Sequence, residues 1–153
     1  MATNAAPIYG KQYIRYAETF EAPSNTQGGA VGTVEIGELR AVSYSTWAGP
    51  NTAAAGDAFT VPPTTIVGIN QAYMPTALAQ PYTARQLTVA TSGLLLVEVD
   101  PASAALTLNA QLQINTLGQA STLGVAVTLD GTTPLIRELV DIGGRNLALV
   151  SFA

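Results

Sequence analysis

From Leu106 to Asn115 the chain alternates. Leu106, Leu108, Ala110, Leu112 and Ile114 take one set of positions, and Thr107, Asn109, Gln111 and Gln113 take the other. A period of two places every second side chain on the same face of an extended strand. The stretch therefore predicts a half-buried strand, and a chain built around it must supply a sheet with one face on a core. Further β-like runs follow the same logic: Ala30–Tyr44 with Val34, Ile36, Val42 and Tyr44 on alternate sites, then Ala58–Val61, Thr65–Ile69, Arg85–Ala90, Leu94–Val99, Thr122–Leu129 and Asn146–Phe152. Turn residues separate them. Pro62 and Pro63 cannot lie inside a central strand, Thr91-Ser-Gly93 predicts a turn, and Leu117-Gly118 and Asp130-Gly131 are turn or hairpin signals. Trp47–Gly56 reads as loop, and Asn70–Ala84, with Pro75 and Pro81, as a long irregular connection.

Thr133–Gly143 fits two patterns. Pro134 at a first helical position and Gly143 past the end suit a helix, whereas Leu135, Arg137 and Leu139 against Ile136, Glu138 and Val140 suit an extended segment. The β-rich surroundings favour a strand. Short strands at turn-marked intervals predict an all-β sandwich or barrel-like domain, and no period of 20–50 residues suggests a solenoid.

Residues 1–30 differ from the rest. They lack sustained apolar periodicity and end in the turn-rich stretch Ala22–Gly29. Within them, Ile8–Tyr16 is aromatic and β-branched, and holds three of the six tyrosines. Lys11 and Arg15 are bases without neighbouring acids, while Glu18, Glu21, Glu35 and Glu38 follow without a base. Two readings fit: a first strand of the domain, or an arm that adds a strand to a neighbour. The expected division is an N-terminal arm and linker over 1–30 and a single β domain over 31–153. Ile8, Tyr9, Lys11, Tyr13, Ile14, Arg15 and Tyr16 are the candidate contact residues of that arm.

The chain has 153 residues, enough to bury a core, with no cysteine and no histidine. Thiol and imidazole nucleophiles, the catalytic triads that need them and nearly all zinc sites are thereby excluded. Six basic residues and a net charge of −4 argue against nucleic acid, which demands clustered Lys and Arg. No apolar run approaches the ~20 residues of a membrane-spanning helix, and the first residues do not read as a signal peptide. Synthesis in a cytoplasm is expected.

Carboxylates are the remaining chemistry. Glu35 with Glu38, or Glu98 with Asp100, could form an acid/base pair, but Glu98 and Asp100 read better as the solvent face of a strand whose Leu95, Val97 and Val99 point inward. Asp57, Asp130 and Asp141 lack calcium-loop spacing. The Gly28-Gly29 and Gly143-Gly144 pairs lack phosphate-cradle spacing and read as turns. Trp47 suits a core plug better than a stacking platform. No cofactor or metal is expected. Charged residues form only 10% of the chain, against a typical ~25%, and charge depletion of this kind suits either a subunit covered by partners or a monomer whose surface is kept soluble by hydroxyls and amides.

The stretch Gly93–Phe152 carries a resemblance. Gly93-Leu-Leu-Leu-Val-Glu-Val99 is followed by the alternating run, by Gly118-Gln-Ala120, by Gly124-Val-Ala126 and by a final Leu147-Ala-Leu-Val-Ser-Phe152. This order is similar to that of the capsid decoration, or cement, proteins of tailed bacteriophages. The resemblance covers about 60 residues and not the first 80. It implies a small β-sandwich, β-tulip or jelly-roll-like domain with an extended N-terminal arm. It further implies a non-enzymatic virion protein, commonly a homotrimer, that binds the major capsid protein on the outer shell and needs neither nucleic acid nor membrane. The rival expectation is a phage tail or fibre component, or a host-surface adhesin with Trp47, Tyr73 and Tyr82 lining a glycan groove. A carbohydrate-acting enzyme is a distant third.

Overall fold

The computed structural model describes residues 11–21, 37–44, 53–55, 64–71 and 86–152. These residues form an all-β structure in which the strands pair antiparallel and no helix occurs, an arrangement of small β-sandwich type. Nine strands lie among them: β1 (Tyr13–Glu21), β2 (Ala41–Tyr44), β3 (Ala53–Ala55), β4 (Gly68–Asn70), β5 (Gln86–Glu98), β6 (Gln113–Ile114), β7 (Val125–Ala126), β8 (Leu135–Ile142) and β9 (Arg145–Phe152). The large sheet runs β3-β2-β4-β5-β9-β8, with β1 also paired to β5, and β6 and β7 form a small second sheet.

The main core lies between them. Ile66, Ile69, Leu95, Val97, Ile136, Val150 and Phe152 from the large sheet and its approach pack with Leu112, Ile114, Ala120 and Val127 from the segment that carries β6 and β7. The opposite face of the large sheet has its own cluster, Leu39, Leu96, Leu147 and Leu149, backed by Val140 and Ile142. Leu95 and Leu96 are both fully buried, one in each cluster. Strand β5 thus has apolar cover on both sides, which explains its unbroken run Leu94-Leu-Leu-Val97 where an alternating pattern would leave one face wet.

Several sequence expectations change. The first is the turn at Thr91-Ser-Gly93: β5 runs straight through it as a thirteen-residue strand. Gly93 is buried and has φ +119°, and a Cβ there would lie 2.0 Å from the Tyr13 carbonyl oxygen. Glycine serves here to admit a neighbouring backbone, not to reverse the chain. The register of β1 on β5 shifts at this place, between Ile14 and Ala17, as a bulge does.

Second, the alternating run is a strand only at its end. Asn109 adopts φ +64°, and the Ala110 amide bonds back to the Thr107 carbonyl at 3.3 Å, so the chain turns midway. Leu112 and Ile114 are buried while Leu108 is 51% exposed. Third, Thr122–Leu129 is strand only at Val125–Ala126, because a turn holds the Gly124 amide to the Ser121 carbonyl at 3.2 Å. Fourth, Ala53–Ala55, read as loop, pairs with Val42–Tyr44; backbone pairing along β2 outweighs the low β propensity of alanine.

Two further runs are shortened: of Thr65–Ile69 only Gly68 and Ile69 lie in β4, which also takes in Asn70, and within Ala30–Tyr44 the chain turns at Glu38 and Leu39 before β2 begins at Ala41. Other expectations hold. The segment Thr133–Gly143 is extended, with β8 (Leu135–Ile142) inside it, Ile136 paired to Val150 and Ile142 to Arg145. Gly143 and Gly144 both have positive φ, 61° and 82°, the backbone of a two-residue type I′ hairpin. Asp130 and Gly131 do likewise at 48° and 77°, and Leu129 and Thr132 exchange both backbone hydrogen bonds, at 2.9 and 2.8 Å. The Leu117-Gly118 turn is closed by the Gly118 amide on the Asn115 carbonyl at 3.1 Å. Ile8, Tyr9, Val34, Glu35, Ile36, Trp47, Asp57, Ala58–Val61, Tyr73 and Tyr82, with Gly28-Gly29 and the 1–30 boundary itself, lie outside the described residues.

Replacing Gly93 by alanine meets both a positive φ and the Tyr13 carbonyl. Equilibrium urea unfolding of Gly93→Ala is expected to show a loss of about 3 kcal/mol at unchanged m-value.

Candidate interaction surface

Strand β1 is aromatic and β-branched at its start, and the extended geometry follows from that composition. Its pairing partner is β5, from Tyr13 opposite Leu94 to Glu21 opposite Gln86. At Val89 and Ala90, β5 is paired on both sides, by Glu18 and Ala17 of β1 and by Asn70 and Ile69 of β4. At Gly93 and Leu94 it again has two partners, β1 and β9.

The hydrogen-bonding side of β1 follows from these registers. The Gln71 amide bonds the Thr88 carbonyl at 2.9 Å, so Thr88 and Ala90 direct their backbone groups towards β4. Val89, offset by one residue, directs its groups towards Glu18. Ala17 and Thr19, which alternate with Glu18, therefore aim their N–H and C=O groups away from β5. The same argument applied to the Val99 amide on the Asn146 carbonyl at 3.0 Å sends the groups of Leu94 to Tyr13 and leaves those of Ile14 outward. No other described strand pairs with β1. Among the described residues, its outer edge is an open row of donors and acceptors.

Tyr13, Ile14 and Tyr16 are 64%, 42% and 56% exposed. Arg15 and Lys11 are also exposed, and Lys11 reaches Glu138 of β8 at 3.5 Å, a solvated pair that contributes little. Gln12, just before β1, is more tightly held: its Oε1 accepts the Leu96 amide at 2.8 Å and its Nε2 donates to Gln71 Oε1 at 2.9 Å. Of the candidate arm residues, Lys11, Tyr13, Ile14, Arg15 and Tyr16 are thus brought together along one sheet edge.

Of the carboxylates considered for acid/base work, Glu35 lies outside the described residues, and Glu38, Glu98 and Asp100 are committed elsewhere. Glu98 Oε2 accepts from Arg40 Nε and from Gln119 Nε2, each at 3.0 Å, and Glu98 Oε1 lies 3.8 Å from Arg145 Nη2. Arg145 also donates to Glu38 Oε1 at 3.2 Å. Gln119 Oε1 accepts from Asn115 Nδ2 at 3.0 Å, and Asn115 Oδ1 accepts the Leu117 and Gln119 amides at 2.9 and 3.0 Å. The polar chain joins the approach to β2, the end of β5, the β8–β9 hairpin and the Asn115 turn. Sequence spacing gave no sign of it, since Glu38, Arg40, Glu98, Gln119 and Arg145 are far apart along the chain.

Asp100 is bound locally. Its Oδ1 accepts the Ala102 amide at 2.9 Å and its Oδ2 the Ser121 hydroxyl at 2.8 Å. The Ala102 hydrogen bond, helped by Ser121 and opposed by partial desolvation, holds its carboxyl below the usual aspartate range. No cluster of three or more acidic side chains suited to a metal occurs among the described residues. No family model matches the chain, and neither does any curated protein or solved structure.

Glu98→Gln removes the charge that Arg40 and Arg145 share. With these side chains about a quarter to a third exposed, the expected loss is about 1–2 kcal/mol in urea unfolding, shrinking as salt rises. Asp100 gives a pH signature. Its folded-state pKa is depressed, so its contribution is present above the unfolded-state value near ~4 and is lost as pH falls through the lower folded one. The stability gap between the native protein and Asp100→Asn, measured by chemical unfolding from pH 7 downwards, is expected to close below about pH 4.

Proposed function

We propose that this chain is a non-enzymatic structural protein of a tailed-phage virion, which binds the major capsid protein on the outer shell as a homotrimer and stabilises it. The observation that carries the reading is the open edge of β1. Ile14, Ala17 and Thr19 offer backbone groups there that no described strand pairs, beside the exposed rings of Tyr13 and Tyr16. An extended segment of a capsid subunit can add to this edge as a further strand, gaining main-chain hydrogen bonds and aromatic anchors together. Two supports stand beside it: a composition poor in charge, and the carboxylates of Glu38, Glu98 and Asp100 taken up by the fold. Weak contacts of this kind, repeated over a lattice of sites, stiffen a shell without any single tight bond.

The position of β1 governs how the proposal is tested. Because it pairs with β5, deleting residues 1–16 would strip the backbone partners of Gly93 and Leu94 and take away the Gln12 contact to Leu96. Point substitutions at the outer edge avoid this. Thr19→Pro removes an outward N–H and leaves the β5 side paired, and Tyr13→Ala removes a ring that is mostly in solvent. Co-sedimentation with expanded, undecorated capsids, alongside mass photometry of the free protein, is the measurement. The native chain is expected to saturate at a fixed ratio to the capsid protein, with each variant at least tenfold weaker and unchanged in circular dichroism. Undiminished binding by both variants would remove β1 from the interface; no binding by the native chain would remove the function.

A further inference from the structure

A cleft of about 580 Å³ opens where β1, the approach to β4, the middle of β5 and the Asp130-Gly131 hairpin meet. Its volume is in the range of small-molecule sites. Tyr16 and Glu18 come from β1, Thr91 and Ser92 from β5, and Asp130 from the hairpin, while the buried Ile66 contributes to an apolar floor. The register explains the convergence. The β1–β5 bulge falls at Tyr16 and Ser92, and a bulge re-aims the side chains around it. The type I′ hairpin then projects Asp130 from the other side.

The chemistry of the lining is selective. Among the described residues, Glu18 and Asp130 have no ion-pair partner and no lysine or arginine lines the cleft. An anion would meet uncompensated like charge. A purely apolar ligand would strip water from two carboxylates and several hydroxyls. A ring bearing hydroxyls satisfies the whole lining: its O–H groups donate to the carboxylates and exchange bonds with Ser92, and its C–H face lies on the Tyr16 ring or the Ile66 floor. An amine on that ring adds a charge-assisted hydrogen bond.

We infer that this cleft is a binding site for a single sugar ring, and that it favours an amino sugar over a neutral one and a neutral sugar over an acidic one. The site shares the Tyr16 ring with the capsid edge of β1 and is otherwise separate from it: Glu18, Ser92 and Asp130 serve it through their side chains, whereas the edge acts through the backbone groups of Ile14, Ala17 and Thr19 and the ring of Tyr13.

Saturation-transfer difference NMR at about pH 6, where amines are protonated and carboxylates ionised, tests it with three probes: D-glucosamine, methyl β-D-glucoside and D-glucuronate. The expected order of affinity is glucosamine, then glucoside, with glucuronate at least tenfold weaker than glucosamine. Asp130→Asn keeps the turn, since asparagine tolerates positive φ as well as aspartate does. It is expected to cut the preference for glucosamine over glucoside at least threefold. Tyr16→Ala is expected to weaken both sugars, and Glu138→Gln, outside the cleft, to change neither. Absence of binding by all three probes, equal binding of glucuronate, or indifference to both Tyr16→Ala and Asp130→Asn would overturn the assignment.

Discussion

The contact between the Tyr13 backbone and Gly93 sets the terms for the rest of the sheet. Strand β5 must accept β1 and β9 at the same two residues, Gly93 and Leu94, and the approach of β1 leaves no room for a Cβ at Gly93. With glycine there, β5 continues for thirteen residues as a strand shared by its neighbours, and each face of it receives an apolar cluster. The bulge that accompanies the contact shifts the register of β1, and this shift decides which of its backbone groups face outward.

The proposed capsid edge and the proposed sugar cleft both descend from that one irregularity. Beyond the bulge, Ala17 and Thr19 direct their backbone groups away from β5, while Tyr16 and Glu18 turn their side chains towards the Asp130 hairpin. One strand thus presents a hydrogen-bonding edge in one direction and a polar lining in another. The polar chain from Asn115 through Gln119, Glu98 and Arg145 to Glu38 serves a different purpose. It ties four separate segments at the far end of β5, beside the apolar cluster of Leu39, Leu96, Leu147 and Leu149.

Much of the fold was legible in the residues. The hairpins at Asp130-Gly131 and Gly143-Gly144 carry their own backbone requirement, so local sequence suffices to place them. Strand β9 and the buried Leu95 and Val97 follow from apolar runs bounded by turn residues. The candidate edge was legible in part: Tyr13, Ile14 and Tyr16 stood out by composition, but composition does not say whether such a strand leaves the domain or joins it. The cleft was not legible, because its lining comes from four segments that only the assembled sheet brings together. Glu98 was misread as a solvent-face residue for the same reason, its cationic partners lying 58 and 47 positions away (from residue 40 to 98, and from 98 to 145).

Gly93 shows where local pattern runs out. In sequence, Thr-Ser-Gly is a turn; in the structure the same glycine lies inside β5 and admits the backbone of β1. The Leu106–Ile114 alternation fails in the opposite way, since a positive φ at Asn109 breaks a strand that the hydrophobic period had extended. By itself the sequence determined that the chain is all-β, where two of its tight hairpins fall, and that thiol and imidazole chemistry is closed to it, because these depend on residue type and local backbone preference alone. Tertiary structure decided the length of β5, the partner of β1, the fate of the carboxylates and the shape of the cleft. Each of these rests on contacts between residues distant in the chain, and no local preference encodes such a contact.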